Sequence, residues 1–177
     1  LETQGVGNLV LTQQVNANGF TEPAGFEPNT ALGPTPGEIG LSSAGTITQS
    51  GVGIVVGSGL SLSARQDIEL ALGNRLGALD AAGVATQSGI VAADTLGSVL
   101  VRADNAAVGA GLGLTVGTVA LTDSFGTGLY DQRTGARVAS LSGVVTPGAT
   151  AANGNNGNIL LETQGVGNLV LTQQVNA

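Results

Sequence analysis

Seventeen residues, LETQGVGNLVLTQQVNA, occur twice without a single difference, at 1–17 and again at 161–177. An identity of that length sets a repeat period of 160 residues before any fold is considered. The chain reads as one unit, residues 1–160, followed at 161–177 by the start of the next identical unit. Repetition has a physical consequence. A unit that leaves an apolar face uncovered buries it against its neighbour, so repeated chains favour stacked architectures.

A finer rhythm runs inside the unit. Short stretches alternate apolar and polar residues: NLVLT at 8–12, TITQ at 46–49, LSLSA at 60–64, DIELA at 67–71, SVLVRA at 98–103, TVALT at 118–122, RVASLS at 137–142 and NILLET at 158–163. Length, period-2 alternation and flanking Gly or Asn mark each as a strand. Their first inward residues are Leu9, Ile47, Ile68, Val99, Val119, Val138, Ile159 and Leu169, spaced by 38, 21, 31, 20, 19, 21 and 10 residues. Spacings near 20 predict an all-β chain, a parallel β-helix (solenoid) with coils of about 20 residues. Seven or eight coils per unit would advance about 35 Å. The expected core is Leu9, Leu11, Ile47, Leu60, Leu62, Ile68, Leu70, Val99, Val101, Val119, Leu121, Val138, Ile159 and Leu161, with Asn8, Asn158 and Asn168 stacked in ladders at the corners.

Composition fits that reading. Hydrophobic residues make up 42% but aromatics only 2%, so the core must be aliphatic. Thirty glycines fall well short of the one-third that collagen requires. Charged residues are only 10%, which disfavours disorder. The chain has no Lys, His or Cys and a net charge of −7, which argues against nucleic acid and anionic membrane surfaces and excludes disulfides and thiolate metal sites. Residues 39–64 carry no charge, yet their Ser, Thr, Gln and Gly are too polar for a membrane span. Four aromatic residues cannot supply the girdles of a membrane barrel. The chain is therefore not expected to be membrane-embedded.

The stretches AGTITQSG (44–51), GLSLSARQDIELA (59–71), LGALDAAG (76–83), GSVLVRADNA (97–106) and GNILLETQGVGNLVLTQQVNA (157–177) resemble filamentous haemagglutinin-like exoproteins of bacteria. The resemblance covers about two-thirds of the chain and rests on repeat style. It implies a right-handed parallel β-helix, two-partner secretion, an extracellular or cell-surface location, and a part in adhesion, biofilm or contact-dependent toxicity. The sequence departs from the family in lacking Arg-Gly-Asp and in the length and regularity of its period.

Two segments break the rhythm. Residues 18–38 hold Pro23, Pro28, Pro34 and Pro36, and proline cannot donate to a ladder, so a loop excursion is expected there. Residues 123–137, DSFGTGLYDQRTGAR, form a second excursion. Their aromatic residues Phe20, Phe26, Phe125 and Tyr130 are the candidate interaction residues. Catalytic and metal-ligating residues are expected to be absent. Asp67, Glu69, Asp80, Asp94, Asp104 and Asp131 show no spacing that forces a pair together, and no EF-hand or glycine-rich calcium nonapeptide occurs. No cofactor is implied beyond weak surface calcium. The resulting expectation is a non-enzymatic structural repeat of an extracellular fibre, partnered by itself end to end and laterally. Its rivals are the stalk of a secreted adhesin and a polysaccharide-active β-helix enzyme.

Overall fold

The computed structural model describes residues 1–17, 36–80, 82, 84–105, 112–121, 128–146, 157–165 and 167–177. Among them every regular element is a strand. The chain is all-β, and most strands join one large sheet whose pairings are predominantly parallel.

Three parallel ladders organise it. In the first, Leu9, Ile47, Ile68, Val99 and Ile159 lie opposite one another in turn. In the second, Glu38–Ser43, Gly59–Ala64 and Ala85–Thr95 run side by side. Leu114–Val116 and Val144–Val145 then share the far edge of Ala85–Thr95, and Leu169–Leu171 and Val175–Asn176 cover those two strands. A short third ladder joins Val15–Asn16, Val55–Gly57 and the pair Arg75 and Leu76.

Parallel register places like on like. Ile39, Leu60, Val91, Val116 and Leu171 form one row; Leu41, Leu62, Ala93, Val144 and Val175 form another. Apart from Leu171 and Val175, exposed at the end of the stack, these rows meet those of the other two ladders in a single aliphatic cluster. Each fully buried Leu, Ile or Val contributes about 1.5–3 kcal/mol. Leu, Ile, Val and Ala side chains fill this interior without any aromatic residue.

Polar side chains bind successive rungs where the chain turns. Asn8 Oδ1 accepts the Thr46 N–H (3.0 Å), Asp67 Oδ1 accepts that of Ser98 (2.7 Å), and Ser98 Oγ accepts that of Asn158 (3.3 Å). Each acceptor stands one residue before a first-ladder rung and caps the next rung's amide. The expected Asn8–Asn158–Asn168 ladder does not form. Asn8 and Asn158 precede opposite ends of the first ladder, and Asn168 precedes the second-ladder strand at Leu169.

The rung assignment needs correction in three places. Val119 lies opposite Leu141, and Val138 opposite Leu129, both in antiparallel pairs. Leu169 joins the second ladder, on Leu114. First-ladder steps are therefore 38, 21, 31 and 60 residues, not a regular 20. Only four such steps separate Leu9 from Ile159, so seven or eight coils per unit is too many.

Antiparallel insertions lengthen the 31- and 60-residue steps. Gly77–Leu79 pairs back on residues 85–88. A longer excursion leaves the second ladder after Gly117 and returns at Gly143, whose N–H donates to the Gly117 carbonyl (2.9 Å). Gly143 has φ +77°, and a Cβ there would lie 2.5 Å from the Gln174 carbonyl oxygen. The excursion is thus longer than residues 123–137; residues 122–127 and most of the expected 18–38 excursion lie outside the described residues.

Candidate functional site

Among the described residues, the 118–142 excursion carries two of the three ion pairs, Arg133 with Asp94 and Arg137 with Glu2. Its pairs Thr118–Ala120 with Ser140–Ser142 and Leu129–Asp131 with Ala136–Val138 fold back over the outward face of the second ladder. Val119, Leu129 and Leu141 bury against Ala92, with Leu121 and Val138 half-buried beside them. Val119, Leu121 and Val138 therefore belong to this satellite cluster and not to the main core. Gly40 makes the approach possible, because a Cβ there would stand 2.6 Å from Leu121 Cδ1.

Polar contacts continue the grip along the outward row Glu2, Ser42, Ser63 and Asp94. Arg137 reaches both Glu2 carboxylate oxygens (3.0 and 3.1 Å). Ser42 Oγ donates to the Tyr130 carbonyl (2.6 Å), and Gln132 Nε2 donates to Ser42 Oγ (2.8 Å) and the Thr3 carbonyl (3.2 Å). Ser63 Oγ accepts the Gln132 N–H (2.8 Å) and donates to Asp131 Oδ1 (3.2 Å). Arg133 Nε contacts both oxygens of the buried Asp94 (2.7 and 2.8 Å). The hydrogen bond to Asp94, and then its charge, raises the Arg133 pKa above its usual value.

Asp94 and Asp131 thus converge on Arg133, whose backbone N–H also donates to Asp131 Oδ1 (3.0 Å). Spacing along the chain gave no sign of this, because the convergence is made by the excursion folding back. The donors and acceptors in this cluster satisfy one another. Chemically the arrangement is a clamp that ties the excursion to successive rungs.

Of the candidate interaction residues, Tyr130 is half-buried in the excursion, opposite Arg137. Phe20, Phe26 and Phe125 lie outside the described residues. The other acidic candidates do not gather. Asp67 caps Ser98; Asp80 Oδ1 accepts the N–H groups of Ala82 and Val84; Glu69 is exposed. Among the described residues no group of three or more acidic side chains is placed to hold a metal ion. No helix among them is long and apolar enough to cross a membrane.

The ends of the ladders form a second candidate surface. Among the described residues, no strand pairs with the outer edge of Leu9–Leu11 or of Ile159–Gln164. Apolar side chains are exposed at both ends: Leu1 and Val10 at one, Leu160, Leu169, Val170, Leu171 and Val175 at the other. Open sheet edges with apolar rows invite another strand.

No protein-family model, no curated protein and no solved structure matches this chain.

Proposed function

We propose that the chain is a structural repeat segment of an extracellular fibre, in which the three ladders are the faces of a parallel β-solenoid and each unit stacks on the next. The observation that carries this reading is the pairing of like rows along parallel ladders, with the same 17-residue sequence at both ends of the stack: Leu9–Leu11 at one, and residues 161–164 and Leu169–Leu171 at the other. The second copy of the segment lies at an open edge of the stack, where a further strand would pair. The aliphatic interior supports the same reading, because such rows lengthen by adding rungs without requiring a new core. The convergent acids do not favour catalysis, since both hold Arg133 in the clamp.

Antibodies raised against residues 118–142 test the reading on intact source cells. Labelling along surface filaments is the expected result. Label that appears only after permeabilisation, or on no filament, overturns it.

A further inference from the structure

The two copies of the 17-residue segment are bonded through opposite edges. At 1–17 the segment faces the strands that follow it in the chain. Leu9 N–H donates to the Thr46 carbonyl and Val15 N–H to that of Ile54 (both 2.9 Å), while the carbonyls of Leu1 and Leu11 accept from Ser42 and Ser50 (both 2.9 Å). At 161–177 it faces the strands that precede it. The carbonyls of Asn168, Gln174 and Asn176 accept from Leu114, Val144 and Thr146 (2.9, 2.9 and 2.8 Å), and Thr172 N–H donates to Val116 (3.0 Å). The first set falls on odd positions of the segment and the second on even ones. Alternate residues of a strand point their amides to opposite edges, so both sets can be satisfied at once.

Side chains follow the same logic. Thr3 Oγ1 bonds to the Gly7 carbonyl, to Ser43 Oγ and to the Ala44 N–H (3.1–3.3 Å). Its twin, Thr163, has a buried Oγ1 with no partner. Two of the missing partners are Ser43 and Ala44, which belong to the strand that follows the segment in its first setting. Inward and outward faces also agree. Leu9 and Leu11 lie opposite Ile47 and Gln49, Leu169 and Leu171 opposite Leu114 and Val116, with Val10 and Val170 exposed in both.

Building on the fibre reading above, we propose that residues 161–177 are the lower half of a joint whose upper half is Glu38–Gly57 of a following copy, in the register seen at 1–17. In this joint Ile47 of the following copy lies on Leu169, its Val55 on Val175, and its Ser42 beside Glu162. The unpaired Thr163 hydroxyl gains Ser43 and Ala44. Glu162, held here by Arg102 (2.8 Å), also receives the following copy's Arg137, as Glu2 does in its own setting (3.0 Å).

The joint offsets the following copy from the ladders of this one. Glu2, Leu9 and Val15 lie on the second, first and third ladders. Glu162 lies on the first, and Leu169 and Val175 lie on the second. Between Glu2 and Glu162 the chain makes four full passes and advances one face further. The following copy's second ladder therefore continues this copy's first, while its strands at Ile47 and Val55 both meet this copy's second ladder, at Leu169 and Val175. Four rungs and a fraction at ~4.8 Å give a rise of about 20 Å per unit.

The test uses the full chain with a second copy of residues 18–177 joined after Ala177. Val170→Cys in the first copy with Thr48→Cys in the second places two outward side chains on neighbouring strands, about 4.8 Å apart and within disulfide reach. Mild oxidation should remove both free thiols and yield the cross-linked peptide. Leu160→Cys with the same Thr48→Cys is the pair that straight stacking, without the offset, would close, and it should keep both thiols. Closure of that pair instead overturns the offset joint and leaves the fibre reading standing. If neither pair closes in a folded chain, both fall. Thr163→Val gives a reading free of cysteine. It should leave the melting temperature of the 177-residue chain unchanged or raised, and lower that of the doubled chain. A shift of the same sign in both contradicts the joint.

Discussion

Asn74 sits fully buried where the chain leaves the first ladder for the third, and its side chain ties several passes together. Its Oδ1 accepts the Val55 N–H (2.9 Å) and a Gln49 Nε2 hydrogen; its Nδ2 donates to the carbonyls of Leu70, Leu72 and Arg102 (3.1, 2.9 and 2.9 Å). Asn74→Leu removes the side-chain partner of the buried Val55 amide and one hydrogen bond from each of these carbonyls. The expected cost is about 3 kcal/mol, read as a lower denaturation midpoint in urea at unchanged slope. A loss below about 0.5 kcal/mol would show that these bonds are dispensable. Ser61 is the opposite case: its Oγ is buried on the excursion-covered face with no partner. Ser61→Ala removes a desolvated hydroxyl and should stabilise the chain by up to about 1 kcal/mol in the same measurement. Neither residue stands out in the sequence. Asn74 lies in a GNR triplet that reads as ordinary turn chemistry, and Ser61 is one polar tooth of an alternating strand. What separates them is the presence of neighbours from distant passes, which no local pattern encodes.

At the scale of elements, Gly117–Gly143 and Thr172–Gln174 fill the same place on adjacent rungs. One links Leu114–Val116 to Val144–Val145, the other links Leu169–Leu171 to Val175–Asn176, and the two pairs of strands lie side by side. The excursion is thus an insertion into a ladder that closes without it. Replacing Gly117–Gly143 with Thr-Gln-Gln should preserve the far-UV strand signature and a cooperative melt, at a lower melting temperature because the clamp on Ser42, Ser63 and Asp94 is lost. Loss of the cooperative transition would make the excursion part of the core. Period-2 alternation made TVALT and RVASLS legible as strands, but it carries no information on whether a strand pairs parallel with a distant pass or antiparallel with a near one. That gap placed Val119 and Val138 on the wrong ladder. The strands at Glu38–Ser43 and Ala85–Thr95 were hidden for a related reason, since buried Ser, Ala and Gly blur the alternation.

The whole molecule was most legible where the chain repeats itself. Of the eight first inward residues read from the sequence, Leu9, Ile47, Ile68, Val99 and Ile159 stack in that order on the first ladder, because parallel register rewards like residues at like positions. Pass length was not legible: insertions stretch a pass to 60 residues without disturbing the rung they return to. The candidate site was legible only as a chain segment, since the Asp94–Arg133–Asp131 convergence depends on the excursion folding back. Stacking of one unit on the next lies beyond the 160-residue repeat itself. Cryo-electron microscopy of filaments from the source surface, or of chains carrying several units, tests it most directly. A stacked fibre gives a meridional reflection near 4.8 Å, from strands lying across the fibre axis, and a unit rise of about 20 Å. Discrete particles, or a 4.8 Å spacing on the equator from strands lying along the axis, would contradict it.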